Sequence, residues 1–201
     1  MNAKIEEIIT DFKEGKMLIV TDDENRENEG DLVVAGELIT ADMVNFMITH
    51  GKGLVCAPVS KEITERLELE QVTKKNTEYT GCKFTISIDH KLTTTTGISA
   101  FDRANTIKAL CDPKSKAEDF ARPGHIFPLE TEKSGITIRE GHTEASIELC
   151  KLAELKEVAV ICEIIDDDGH MCKGKKLQAY AKKHQIKMIS IEELKTYLQT
   201  R

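Results

Sequence analysis

Residues 22–32 read DDENRENEGDL and lie between two strand-like runs, MLIV before and VVAG after. The stretch holds six carboxylates and one guanidinium, with almost no apolar residue. A strand tip so rich in oxygen donors suits a hard cation such as Mg²⁺, which takes one or two carboxylates and keeps water or substrate oxygens in its other positions. Alone, the run reads rather as a solvated turn whose acids repel one another, since charge runs are usually surface. It is not a calcium-binding EF-hand loop: counting from Asp23, the sixth position is Asn28 where glycine is required, and strand-like runs flank it instead of helices.

A second constellation is ITIREGHTEASIELC, residues 136–150. An apolar strand is expected to end at Arg139, Gly141 lets the backbone bend, and a helix opens at His142 and Thr143. The free N–H groups of a helix start carry partial positive charge and Arg139 can add a bidentate contact, so phosphate is the natural guest. Thr143 could equally do no more than cap the helix. In ARPGHIFPL, Pro123 and Gly124 fix the chain so that His125 projects at a strand start, and an imidazole of unperturbed pKa about 6.5 exchanges protons near neutral pH. A lone histidine is also a common surface residue. Glu163 sits inside the apolar run VAVICEII, where a carboxyl is costly to bury unless paired or sharing a proton; the alternative is an acid at a strand edge. DDDG at 166–169 reads as a turn, and Cys56 as a buried small hydrophobe whose thiol is oxidisable only if exposed.

The elements that must position these groups follow from periodicity. Ile5, Ile8, Ile9 and Phe12 recur at helical spacing. Strands are predicted at 17–21 and 31–35, a helix from Thr40 to about Gly51, a strand at 53–59 and a helix from Ser60 to about Leu69. Residues 71–81 read as a loop and CKFTISI, 82–88, as a strand. The Thr run TTTTGISAFDRA leads into a helix carrying Ile107, Ala109 and Leu110. Residues 111–124 are loop-like, and HIFPL and GITIR read as short strands. A helix from His142 to Leu155 and the strand 158–165 follow. The tail alternates helix (174–184), strand (186–189) and a helix opened by the capping box Ser190…Glu193. Neighbouring strands without an intervening helix indicate a mixed sheet covered by helices: α+β, a three-layer α/β/α single domain over 1–201.

Composition narrows the function classes. With 28 basic against 35 acidic residues the net charge is −7, and there is no Trp and only 4% aromatic residue. Neither backbone neutralisation nor base stacking of nucleic acid is served by that balance. No run of about 18 apolar residues is present to span a bilayer, and the N-terminus is an acidic amphipathic segment unlike a signal peptide. Six scattered cysteines without a close C-x-x-C pair read as reduced thiols. A soluble, cytoplasmic protein with no nucleic-acid or membrane partner is expected. P-loop, dinucleotide-fingerprint, zincin and hydrolase-elbow motifs are absent.

Taken together, DDENRENEGDL, TTTTGISAFDRA, RPGHIFPL, REGHTEA and VICEI, in that order, closely resemble the 3,4-dihydroxy-2-butanone-4-phosphate synthase family of riboflavin biosynthesis. The similarity continues more weakly to the C-terminus. It implies conversion of D-ribulose 5-phosphate to L-3,4-dihydroxy-2-butanone 4-phosphate and formate with Mg²⁺ or Mn²⁺, a carbon–carbon lyase reaction. It also implies that Arg26 and Glu27 contact sugar and metal, and that Asp31 contacts substrate. Arg139, Glu140, Gly141, His142 and Thr143 would form the phosphate and metal segment, with His142 as the second metal ligand. His125 and Glu163 would serve in catalysis, Glu163 also contacting substrate. A homodimer with active sites at the interface is implied, with the Thr run contributing. Glu130, Thr131, Ser134 and Glu154 depart from the usual pattern, which touches loop details only. The fused GTP cyclohydrolase II partner of some relatives would need a zinc-binding cysteine cluster and more chain, so a monofunctional form is expected. The residues alone leave open another metal-dependent phosphosugar isomerase or aldolase, or a non-enzymatic metal-binding or nucleotide-sensing module.

Overall fold

The computed structural model describes residues 2–200. Helix α1 (Asn2–Lys13) buries Ile5, Ile8 and Phe12 along one stripe. Strands β1 (Leu18–Thr21) and β2 (Gly30–Ala35) pair antiparallel, so the acidic segment becomes the connection at the open end of this pair. Helix α2 (Ala41–Phe46), capped by Thr40, runs into a π-helical turn over Met47–Gly51. Then come β3 (Cys56–Val59), α3 (Lys61–Arg66), β4 (Lys83–Phe84), β5 (Ile88–His90) and α4 (Ala100–Cys111). The long strand β6 (Phe120–Glu130) precedes α5 (His142–Leu152), β7 (Ala159–Glu163), α6 (Gly174–His184), β8 (Lys187–Ser190) and α7 (Ile191–Gln199).

One mixed sheet in the order β4-β6-β3-β7-β2-β1-β8 joins them, with β5 also paired to β6. Pairs β1–β8 and β3–β6 are parallel, and the remaining pairs antiparallel. The central strands are apolar on both faces, as burial between helix layers requires. Leu32, Val34, Val160 and Cys162 pack with residues of α2, α4 and α6. Their alternates Val33, Ala35, Ala159 and Ile161 pack with α1, α5 and α7. This is the expected α+β, three-layer architecture.

Three local expectations are corrected. Residues 135–139 do not form a strand: Gly135 has φ +59 and opens a 3-10 turn over Gly135–Thr137, and the N–H groups of Ile138 and Arg139 bond back to Gly135 O instead of joining a ladder. Only Ile136 of its two isoleucines is buried, which a turn achieves as well as a strand. The 82–88 run splits into β4 and β5, each bonded to a different part of β6. Conversely, β6 begins at Phe120, inside the segment read as a loop, and passes through a cis Arg122–Pro123 bond.

If the two-sided sheet is the core, Leu32→Ala should cost about 2–5 kcal/mol in urea unfolding, as for other buried Leu to Ala changes. Val72→Ala, at a position 62% exposed, should stay within about 0.5 kcal/mol. Equal effects at both sites would contradict this packing.

Candidate active site

The acidic loop is built around one aspartate turned inward. The buried Asp22 carboxylate accepts the N–H of Glu29 at 2.8 Å and of Glu27 at 2.9 Å, and pairs with Arg26 Nη1 at 3.0 Å. Asp23 Oδ1 accepts the Asn25 N–H at 2.7 Å, and Asn28 turns the chain in the left-handed region that asparagine tolerates. Lys173 Nζ, at the start of α6, donates to Glu27 O at 2.9 Å. Folding the loop on Asp22 presents Arg26, Glu27 and Glu29 to a cleft of about 150 Å³, while Asp23 and Glu24 lie away from it. The loop is therefore not a solvated turn.

Asp31, Glu163 and His142 form the floor of the cleft. Asp31 and Glu163 are directly opposite in the β2–β7 register. Glu163 closes β7 beside the chain after the π-helical turn: its Oε2 accepts the Leu54 N–H at 2.8 Å, and a Cβ on Gly53 would lie 2.5 Å from that same oxygen. Glu163 is thus paired at a strand end, not buried within the strand. His142 Nδ1 lies 3.7 Å from Glu27 Oε2, and its Nε2 lies 4.0 Å from Asp31 Oδ1. The latter is too long for a hydrogen bond, and both atoms are buried without another partner.

Charge and burial set the protonation here. Burial pushes Asp31 up to about 7 against the pull of His142, with Glu163, Glu29 and Glu27 adding to the rise. Burial opposes a charged imidazole, yet Asp31, Glu27 and Asp22 outweigh it and raise His142 to about 9. Glu27 is held low, first by His142 and then, against desolvation, by Arg26.

One oxygen or nitrogen from each of Asp22, Glu27 and His142 falls within 4.8 Å of the others, the single such cluster among the described residues. Asp22 already accepts three hydrogen bonds, so Glu27 and His142 are the available pair. Their donor set, one carboxylate and one imidazole beside orphaned buried polar atoms, fits a divalent cation that keeps its remaining positions for water and substrate.

The opposite wall offers donors suited to an anion. Gly141 is the N-cap of α5 and no side chain caps the helix, so Thr143 is not a cap and the first N–H groups of α5 are unclaimed by side chains. Arg139 and Thr143 line the cleft beside them, together with Glu78, Thr80 and Cys82 of the preceding loop. Glu78 shapes that loop by accepting from Thr80 N, Thr80 Oγ1 and Cys82 N. Residues 71–81 read as an unremarkable loop from the sequence, and only an acid followed by closely spaced Thr and Gly hinted at a self-capping turn.

Two expected residues lie elsewhere. Glu140 pairs with Lys195 of α7, not with the cleft. His125 is not part of the cleft lining either. Its backbone N–H and Nδ1 both meet the Asp89 carboxylate, at 2.9 and 2.7 Å, and Gly97 of the Thr run presses on the pair, where a Cβ would lie 2.1 Å from Asp89 Oδ2. Asp102 holds that run by accepting Thr95 N and Gly97 N. Leu92, three residues after Asp89, and Phe101, next to Asp102, are 83% and 70% exposed. Asp89 was not singled out from the sequence, because an acid in SIDH at a strand end carries no spacing signature.

Residues 6–197 match the family described as 3,4-dihydroxy-2-butanone 4-phosphate synthase. The chain is 53% identical over 197 residues to a riboflavin biosynthesis protein RibBA of Bacillus mycoides, covering 98% of this chain and 49% of that protein. It is 51% identical over 193 residues to its Staphylococcus aureus counterpart, covering 96% and 49%. The chain thus spans about half the length of these curated relatives. A crystal structure of 3,4-dihydroxy-2-butanone 4-phosphate synthase in complex with two magnesium ions superposes with a TM-score of 0.94 at 40% identity, covering 98% of this chain and 96% of that one. The Candida albicans synthase gives a TM-score of 0.89 at 45% identity, with 96% of both chains covered. The chain belongs to the 3,4-dihydroxy-2-butanone 4-phosphate synthase family.

Proposed function

We propose that residues 1–201 act as one domain converting D-ribulose 5-phosphate to L-3,4-dihydroxy-2-butanone 4-phosphate and formate, and we assign this reaction alone to them. The observation that carries this reading is the meeting, in one cleft, of Glu27 and His142 with the uncapped start of α5 and Arg139. Such a site binds a phosphate at one end and a cation with sugar oxygens at the other. Atoms balance without an oxidant: a ketose phosphate rearranges and loses its one-carbon fragment as formic acid, water being lost and regained on the way. Six unpaired cysteines suit a reducing, cytoplasmic setting.

Mg²⁺ or Mn²⁺ bound by Glu27 and His142 would polarise the ketose oxygens and acidify the neighbouring C–H. Arg139 and the α5 N–H groups anchor the phosphate, which fixes the reacting carbons. Arg26 and Asp31 orient sugar hydroxyls. Glu163, held by the Leu54 N–H, presents its free oxygen to the cleft and moves a proton there. His125 works from a second copy: Asp89 occupies Nδ1, leaving Nε2 to exchange protons, and the exposed Leu92 and Phe101 beside it are suited to a homodimer contact.

Formate release from ribulose 5-phosphate, with Mg²⁺ and with a chelator, tests the reaction. Glu163→Gln should lower kcat about 10²–10⁴-fold with little change in KM. A defect confined to KM would reject its proton-transfer role.

Cation affinity should depend on pH with a definite sign. His142, raised to about 9, is protonated in the metal-free protein near neutrality, so a cation at Nδ1 displaces a proton. Affinity for Mn²⁺ should rise about tenfold per pH unit between pH 6 and 8, and Glu27→Ala or His142→Ala should abolish it. Flat binding across that range would exclude His142 as a ligand.

Mixing two inactive variants tests the shared site. Subunits carrying His125→Ala and Glu163→Gln, refolded together in equal amounts, should recover about a quarter of the wild-type rate, because half the dimers hold one intact site of two. No recovery from demonstrated mixed dimers would place His125 outside the partner's cleft.

A further inference from the structure

The Arg139 guanidinium is held from two sides before any ligand reaches it. Nε donates to Thr80 O and Nη2 to Thr80 Oγ1, both at 3.0 Å, while Nη1 donates to Glu144 Oε2 at 2.6 Å. A guanidinium carries five N–H groups, so one remains on each terminal nitrogen. Glu144 itself does not line the cleft. It sits in the first turn of α5, 1% exposed, and its Oε1 accepts the Glu132 N–H at 3.2 Å. Gly141 makes the arrangement possible: a Cβ there would lie 2.3 Å from Arg139 Nη1 and 2.9 Å from Glu144 Oε2.

A buried carboxylate is costly unless paired, and the backbone bond to Glu132 asks only for a neutral acceptor. The charge on Glu144 therefore has two structural uses, its place at the positive start of α5 and the salt bridge to Arg139. Arg139 needs such a hold because it follows an irregular turn, not a rigid strand, and several rotatable bonds separate its head from the chain.

We propose that Glu144 is the positioning residue of the anion site: it locks Arg139 so that the two remaining N–H groups face the phosphate of a sugar phosphate beside the α5 N-terminus. This rests on the reading of Arg139 as the phosphate anchor. Charge balance alone predicts the opposite sign, since removing a carboxylate near a bound phosphate relieves repulsion. Positioning predicts that the same change weakens binding.

Glu144→Gln keeps the size and the acceptor for Glu132 while removing the charge. Gly141→Ala, at φ −105 and ψ 160, suits alanine's backbone but intrudes on the guanidinium. Calorimetry of inorganic phosphate with the Mg²⁺-loaded protein should show about tenfold weaker binding in both variants. KM for ribulose 5-phosphate should rise by a similar factor, with kcat within about twofold and the melting temperature of Glu144→Gln close to wild type. Equal or tighter phosphate binding in Glu144→Gln, a loss in kcat with KM unchanged, or no phosphate binding by the wild type would overturn the proposal. Phosphate binding that weakens as expected in a protein that releases no formate would uphold Glu144 and reject the reaction instead.

Discussion

Asp31 and Glu163 face each other across β2 and β7, and Glu27 brings a third carboxylate to the same strand ends. Like charges in directly opposed sheet positions destabilise the pair, and here one of them is buried. The His142 imidazole stands among them, and the Arg26 guanidinium pairs with Glu27 at the rim. The raised proton affinity of His142 reflects the surrounding carboxylates, while Asp31 is raised first by burial and only secondarily by Glu163, Glu29 and Glu27. A divalent cation would relieve that concentration of negative charge, and the loop organised on Asp22 brings Glu27 within reach of His142.

The rest of the architecture brings distant segments to that point. The β1–β2 pair carries the acidic loop, β7 carries Glu163, and α5 begins at His142, so the early β1–β2 pair meets the consecutive α5 and β7, more than a hundred residues later, at one end of the sheet. The same helix start supplies the electropositive wall opposite. Arg139 and Thr143 line one side of the cleft and His142 its floor, so one short segment contributes to both parts of it.

Much of this was legible in the sequence because the chemistry is carried by compact motifs. RENEGD and REGHT each concentrate a site wall within six residues, and the alternation of VVA and VAVIC marks strands covered on both faces. What escaped was conformational or relational. GITIR has strand composition, but the positive φ at Gly135 turns the chain instead. Glu140 and Glu144 are both acids near a helix start, yet one reaches outward to Lys195 and the other inward to Arg139, because Glu140 precedes the helix and Glu144 lies in its first turn, a boundary that residue type and spacing alone do not resolve. His125 is expected in the site and stands apart from it in the single chain, because Asp89 and the Thr run hold it at another surface.

Glu163 owes its aim to main chain more than to neighbouring side chains. The Leu54 N–H grips one of its oxygens, and the hydrogen of Gly53 fills the space where any methyl group would strike both that oxygen and the strand backbone. Drift in the surrounding side-chain identities can therefore proceed without re-aiming this acid, whereas position 53 admits no substitute. Of the changes around this acid, a methyl group at position 53 is the one that would most directly re-aim it.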